Sequence, residues 1–185
     1  MTPNSRDGAL SLIKWLLLFT LPLYLLDQAT KWAVLRNIPL DSDSRLPVIP
    51  GFFDLVHWRN FGAAFSLFSD KSANSNGFFI LLSCVALAVL AVLAWRGKFQ
   101  DRTSRVGWAL LLAGILGNLT DRVLHGSVVD FLLFDLHVPY ANPWPAFNVA
   151  DSCIFVAAGL FIWQSFREEK AQKAGGGVAK NRRNF

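Results

Sequence analysis

Four stretches of the chain are nearly free of charge: 10–35, with an uncharged centre at 15–26, then 77–95, 106–120 and 147–166, where the single charge is Asp151 near the start. A soluble amphipathic helix interleaves polar residues at a period of 3.6. These runs do not, and they approach the length that crosses a hydrocarbon core of about 30 Å. At about 1.5 Å per residue, 77–95 spans that core comfortably. The shorter run 106–120 reaches only if its charged end, Asp121-Arg122, lies close to the membrane surface. One such run suits a buried helix of a soluble protein. Four of them in 185 residues leave too little polar helix face to enclose them. The pattern therefore predicts an all-α polytopic membrane protein with four transmembrane helices. Arg6 and Lys14 precede the first run, but it continues as Asp27-Gln28-Ala29-Thr30-Lys31-Trp32 with no small-x-small cleavage site, so it reads as an uncleaved helix.

The segments between the runs carry a second signal. The stretch at about 36–76 is too long for a simple connector. Within it, Leu46-Pro47-Val48-Ile49-Pro50-Gly51 reads as an edge segment and a turn, 52–58 is rich in β-formers, and Phe65-Ser66-Leu67-Phe68 reads as a further strand. A small extracytoplasmic β-sheet on the membrane surface follows, with its Phe and Trp residues in the interface. The second outer loop, about 122–146, has Pro143 and Pro145 near its end, suited to the start of the fourth helix. Residues 1–166 form one membrane domain on this reading. Residues 167–185, with Gly175-Gly176-Gly177 and scattered bases, read as a disordered basic cytoplasmic tail near anionic lipid.

Composition adds little until it is sorted by topology. Hydrophobic residues make up 53% and charged residues only 17%, against about 25% charged in a soluble domain, which excludes an intrinsically disordered chain. The net charge of +5 divides unevenly. The tails and the loop after the second run carry twelve bases and four acids; the opposite side carries six bases and nine acids. The positive-inside rule then places both termini in the cytoplasm. The high isoelectric point reflects that topology and leaves no nucleic-acid partner to explain. Cys84 and Cys153 fall inside runs and read as packing residues; His57, His125 and His137 lack ligand spacing and read as surface residues, so no metal is expected.

Ionisable groups near a membrane are costly and carry a partner or a task. Asp27 and Lys31 are four apart, share a helix face and form a candidate salt bridge. Two Asn-x-x-Asp units follow, Asn118 to Asp121 at the end of the third run and Asn148 to Asp151 at the start of the fourth. Spacing i, i+3 puts each Asn on the face of its Asp. Gly114 and Gly117 precede the first unit at a spacing that permits close helix approach. Between the units lies Asp130 in the apolar run Val128-Val129-Asp130-Phe131. Helix capping by Asn148 and Asp151 and a pairing of Asp121 with Arg122 account for those residues in purely structural terms; Asp130 has no such explanation. Two close carboxylates in low dielectric cannot both ionise, so one keeps a proton and the other acts as a base, which is aspartic-protease chemistry. Asp130 lacks a basic neighbour and pairs best with Asp151, whereas Arg122 beside Asp121 would hold that carboxylate ionised as scaffold. An Asp121–Asp151 pair is the alternative. Neither a His-Glu-x-x-His motif, a Gly-x-Ser-x-Gly elbow nor a phosphate loop is present.

In order, the pieces Asp27-Gln28-Ala29-Thr30-Lys31, Asn60-Phe61-Gly62-Ala63-Ala64-Phe65-Ser66, Gly117-Asn118-Leu119-Thr120-Asp121-Arg122, Val128-Val129-Asp130-Phe131 and Phe147-Asn148-Val149-Ala150-Asp151-Ser152 resemble the bacterial lipoprotein signal peptidases (signal peptidase II). The resemblance runs from the first run through the fourth; Ala113 departs from a glycine the family often has there. It implies a four-helix aspartyl peptidase of the bacterial inner membrane with a β-cradle on the outer face. It implies cleavage of prolipoproteins just before a diacylglyceryl-modified cysteine, with no cofactor, lipid-modified signal peptides and membrane lipid as partners, and a monomer as the default. Carried onto this chain, the catalytic pair is Asp130 and Asp151, supported by Asn60, Asn118, Asp121, Arg122 and Asn148, with Asp27 and Lys31 further off. A proton channel is the competing class, but the acids gather on one side instead of lining the full depth.

Overall fold

A computed structural model of the chain describes residues 12–40, 44–62, 73–139 and 142–181. The first helix begins with a π-turn, Leu16–Thr20, and continues as α1, Leu21–Asn37. Strands β1, Arg45–Ile49, and β2, Phe53–Asn60, follow, then helices α2, Ala73–Trp95, and α3, Arg102–His125. Strand β3, Val128–Phe134, leads to α4, Val149–Asn181. The molecule is a mostly helical membrane protein with a small three-stranded antiparallel sheet ordered β1-β2-β3. Three of its described helices are long and apolar enough to cross a membrane: 12–37, 75–95 and 149–171. Their outward faces are apolar, with Leu18, Leu81 and Phe155 at 66%, 63% and 80% exposure. Water would penalise that surface, and lipid does not.

The third run of the sequence became α3, which differs from the other long helices. Its residues are the most enclosed, including Gly107, Ala109, Ala113, Gly114, Gly117, Asn118 and Asp121, and it packs against α1, α2 and α4. Its ends follow local rules. Asp101 accepts from the Ser104 N–H at 3.0 Å as N-cap, and Gly126, at φ +74°, donates its N–H to the Arg122 carbonyl at 3.2 Å. Gly114 and Gly117 are what let it sit so close to α4. A Cβ on Gly114 would come within 2.5 Å of the Ala150 carbonyl oxygen, and one on Gly117 within 2.5 Å of Asp27 Oδ2.

The sheet caps one end of this bundle. Val34 of α1 packs with Val129 and Phe131 of β3, and Leu35, Ile38, Leu55 and Leu132 fill in around them. The edge segment and the 52–58 strand appear nearly where the residue pattern puts them. The third strand comes from 128–134 in the second outer loop. The segment 65–68, along with residues 63–66 of the first-loop motif, lies outside the described residues. A register shift between Leu55 and Trp58 turns consecutive residues Val56 and His57 both inward. His57 is thus buried instead of lying on the surface, with Nδ1 2.9 Å from the Ile38 carbonyl oxygen. Helical backbone also continues past Phe166 to Asn181, through much of the stretch read as a disordered tail. Residues 166–174 are mostly good helix formers, and Gln164 donates to Glu168 at 2.9 Å one turn on.

Gly114→Ala is expected to destabilise the protein by about 1–3 kcal/mol, because the atom in its way is backbone. Thermal unfolding in detergent checks this; an unchanged midpoint would mean that α3 and α4 are not held at this distance.

Candidate active site

Four buried or nearly buried carboxylates converge where α1, α3, β3 and the start of α4 meet: Asp27, Asp121, Asp130 and Asp151. At their centre is Lys31, 2% exposed, whose Nζ lies 2.8 Å from Asp27 Oδ2, 2.9 Å from Asp121 Oδ2 and 3.1 Å from Asn118 Oδ1. The i, i+4 pairing of Asp27 with Lys31 is as the spacing on α1 dictates. The partner of Asp121 is Lys31, however, and not Arg122. Adjacent residues on a helix point about 100° apart, so Arg122 cannot fold back onto Asp121. Lys31 is also not remote, since it holds the Asn118 side chain that in turn donates Nδ2 to Asp151 Oδ1 at 2.7 Å.

Asp27 and Asp121 are consumed by these structural contacts. Asp27 Oδ1 accepts the Ala150 N–H at 2.8 Å, placing a carboxylate at the N-terminus of α4. Asp121 Oδ2 accepts the Val129 N–H at 3.0 Å, tying α3 to β3. Gln28, which the residue pattern did not single out, donates Nε2 to Asp27 Oδ2, Asp121 Oδ1 and the Gly117 carbonyl at 3.1, 3.2 and 3.3 Å. Its only signal was its place between Asp27 and Lys31 in the first matched block.

Asp130 and Asp151 are held differently. Asp130 pairs in register with Trp58, so Asn60, two residues on, shares its face. Asn60 Nδ2 donates to Asp130 Oδ2 at 2.9 Å, and Asn148 Nδ2 donates to Asp130 Oδ1 at 2.9 Å. Asn148 is fully buried and grips Asp151 as well. Its backbone N–H donates to Asp151 Oδ2 at 3.3 Å, and its Oδ1 accepts the Asp151 N–H at 2.9 Å. The i, i+3 relation of the second Asn-x-x-Asp unit is thus a capping arrangement that also carries a side chain to β3. No cation pairs directly with Asp130 or Asp151 among the described residues. Burial and then the negative charge of Asp151 push the Asp130 carboxyl from its ordinary value of 3.8 up to about 7, against the two asparagine donors and the Lys31 charge.

Arg122 stands beside this pair as a loosely held positive charge. Its Nη1 donates to the Asn118 carbonyl at 3.4 Å and its guanidinium lies 4.9 Å from the centre of the Phe79 ring. Asp151 and Asp130 are the carboxylates it attracts most. All nine residues singled out from the sequence therefore belong to one network, with the pair Asp130 and Asp151 on one side of Asn148 and the Lys31 cluster on the other.

A family model described as signal peptidase (SPase) II matches residues 19–167. The lipoprotein signal peptidase of Photorhabdus laumondii is 38% identical over 167 residues, covering 88% of this chain and 95% of that protein. That of Geobacter sulfurreducens is 45% identical over 145 residues, covering 78% and 87%. Among solved structures, a bacterial membrane enzyme determined by the in meso method at 2.3 Å resolution superposes with a TM-score of 0.72 at 30% identity, over 83% of this chain and 88% of that one.

Lys31→Met is expected to cost about 3–5 kcal/mol, because it strands Asp27 and Asp121 as unpaired buried charges. Thermal unfolding of the purified variant checks it, and a midpoint within a degree of the parent would refute the central role given to this ammonium.

Proposed function

The chain belongs to the signal peptidase II family, whose members remove signal peptides from prolipoproteins, and we propose that it does so as an aspartyl endopeptidase with Asp130 and Asp151 as the catalytic pair. The observation that carries this reading is the grip of Asn148 on both carboxylates while Lys31 bridges the other two. Two acids are tied up as scaffold. Two remain, both hydrogen-bonded to Asn148, largely shielded from solvent, and without a direct ion pair among the described residues.

The chemistry follows from the difference between the two. Asp130, raised towards neutrality, carries the proton. Asp151 is held by donors from Asn118 and Asn148, which favour its anion and make it the base. Asp151 takes a proton from water, and the resulting hydroxide adds to the scissile carbonyl carbon. Asp130 gives its proton to the carbonyl oxygen, leaving a neutral tetrahedral diol. On collapse, Asp151 returns its proton to the amide nitrogen, the C–N bond breaks, and one of the two diol hydroxyls gives its proton to Asp130 as its oxygen becomes the C=O of the new carboxyl group. The products are a carboxyl group on the signal peptide and the free amine of the cysteine. Arg122, which Asp151 and Asp130 attract, supplies positive charge that favours the partial negative charge growing on the carbonyl oxygen as the Asp130 proton is transferred.

Topology suits the proposed substrate. We read α3 as a fourth crossing: its 24 residues rise about 36 Å, and its polar groups face protein. Both termini then lie in the cytoplasm, and the pair sits near the outer face of the bacterial inner membrane. The signal helix enters sideways from the bilayer, and the diacylglyceryl chains stay in lipid. That anchoring sets the scissile bond, just before the modified cysteine, at headgroup depth beside the sheet. The protein acts as a monomer.

Reconstituted protein is expected to cleave a diacylglyceryl-modified preprotein and ignore the unmodified form. Asp130→Asn should lower turnover by at least about 10²-fold, the scale of a lost acid–base group, whereas Asp121→Asn keeps turnover and loses thermal stability. Full turnover by a folded Asp130→Asn protein would overturn the assignment. The pH profile gives an independent check. Turnover should fall as pH rises through about 7, where Asp130 gives up its proton. Asn60→Ala removes a donor that favours the anion, so this alkaline limb should move to higher pH; a downward shift would contradict the assignment.

A further inference from the structure

Helix α2 carries no charged residue and brings nothing to the carboxylate network itself, yet its first turns close on the groups around it. Asn76 and Phe79 are three apart and share a face of the helix. Asn76 Nδ2 donates to the Arg122 backbone carbonyl at 3.1 Å, and the Arg122 guanidinium lies over the Phe79 ring, 4.9 Å from its centre. The half-buried ring has a second neighbour. A Cβ on Gly62 would overlap Phe79 at Cδ2, Cε2 and Cζ, so the bare backbone of that glycine lies directly against the ring. Gly62 stands at φ +93°, a conformation that glycine adopts without steric cost.

Both contacts lead to the Asp130–Asp151 pair. Gly62 donates its N–H to Asn60 Oδ1 at 2.8 Å. An amide side chain has one oxygen and one NH2 group, so committing Oδ1 to Gly62 turns Nδ2 towards Asp130, to whose Oδ2 it donates at 2.9 Å. Arg122 has little else to fix it. Its one side-chain hydrogen bond among the described residues is 3.4 Å long, and none of their ion pairs includes it. An aromatic face attracts a guanidinium through the ring quadrupole. It does so without accepting a hydrogen bond and without cancelling the charge. A carboxylate in the same place would do both, and would spend the donors and the charge that a developing oxyanion needs.

We propose that Phe79 is a positioning residue for the hydrolysis: one ring seats the Gly62 turn that aims Asn60 at Asp130, and holds the Arg122 guanidinium beside the pair with its donors unspent. The inference rests on the assignment of Asp130 and Asp151 as the catalytic pair.

Site-specific replacement of Phe79 by trifluorophenylalanine tests it, because fluorine drains negative charge from the ring face and nearly keeps its outline. It should lower kcat by about tenfold and leave KM within about twofold, as for an interaction that counts in the transition state. A ring that only filled space would tolerate the change. Phe79→Leu removes the seat of Gly62 as well. The alkaline limb of the pH profile should then move to higher pH, because a displaced Asn60 donor and a displaced Arg122 charge both favour protonated Asp130, while Asp151 and Lys31 stay in place. NMR of protein with isotope-labelled arginine gives a readout independent of turnover. The Arg122 guanidinium protons, identified through Arg122→Lys, should lie upfield under the ring current and move downfield in Phe79→Leu. Unchanged kcat in the fluorinated protein, a loss confined to KM, an unmoved alkaline limb in Phe79→Leu, or guanidinium protons indifferent to Phe79→Leu would each overturn the proposal. Full turnover by Asp130→Asn refutes the catalytic pair instead, and the NMR signal separates that failure from this one.

Discussion

One ammonium group organises this molecule. Lys31 Nζ is almost wholly removed from solvent, and its desolvation is offset only because two carboxylates and an amide oxygen surround it at 2.8–3.1 Å. Those partners reach out in turn. Asp27 binds the first turn of α4, Asp121 binds the backbone of β3, and Asn118 binds Asp151. A buried cation on α1 thus sets the relative positions of three other elements. Such a cluster is a poor way to add stability and a good way to specify one arrangement, which is what the proposed catalytic pair requires.

Close packing is the second half of the same constraint. The network works only if α3 approaches α1 and α4 within the reach of short side chains, and Gly114 and Gly117 provide that approach. Two lengths of polar chain then suffice. Asn118 spans from Lys31 to Asp151, and Asn148 spans from Asp151 to Asp130. The sheet has a matching role: the register that sets Trp58 opposite Asp130 brings Asn60 onto the outer oxygen of that carboxylate.

Much of this was legible in the chain because it obeys local periodicity. The apolar runs reappear as the long helices, the Asp27–Lys31 pairing follows from i, i+4 spacing, and both Asn-x-x-Asp units lie where helix ends meet. The rest depends on contacts distant in sequence. Nothing near Asp121 shows that its cation comes from Lys31, ninety residues away, and Arg122 was the nearer but wrongly directed neighbour. The inward turn of His57 needs a bulge that no residue type announces. Gln28 was inconspicuous because an amide on a helix face is ordinarily solvated. The role of 128–134 as the third strand was hidden in a run too short to tell from a buried helix segment.

The central claim is that one proton is retained by Asp130, next to an ionised Asp151, while Asp27 and Asp121 are held as scaffold by Lys31. Infrared spectroscopy of the protein with isotope-labelled aspartate reads this directly, since a protonated carboxyl has its own C=O stretch. Slightly below pH 7 one such band is expected, disappearing in Asp130→Asn and persisting in Asp121→Asn. A band that survives Asp130→Asn, or that vanishes with Asp121→Asn, would place the proton elsewhere and contradict the assignment.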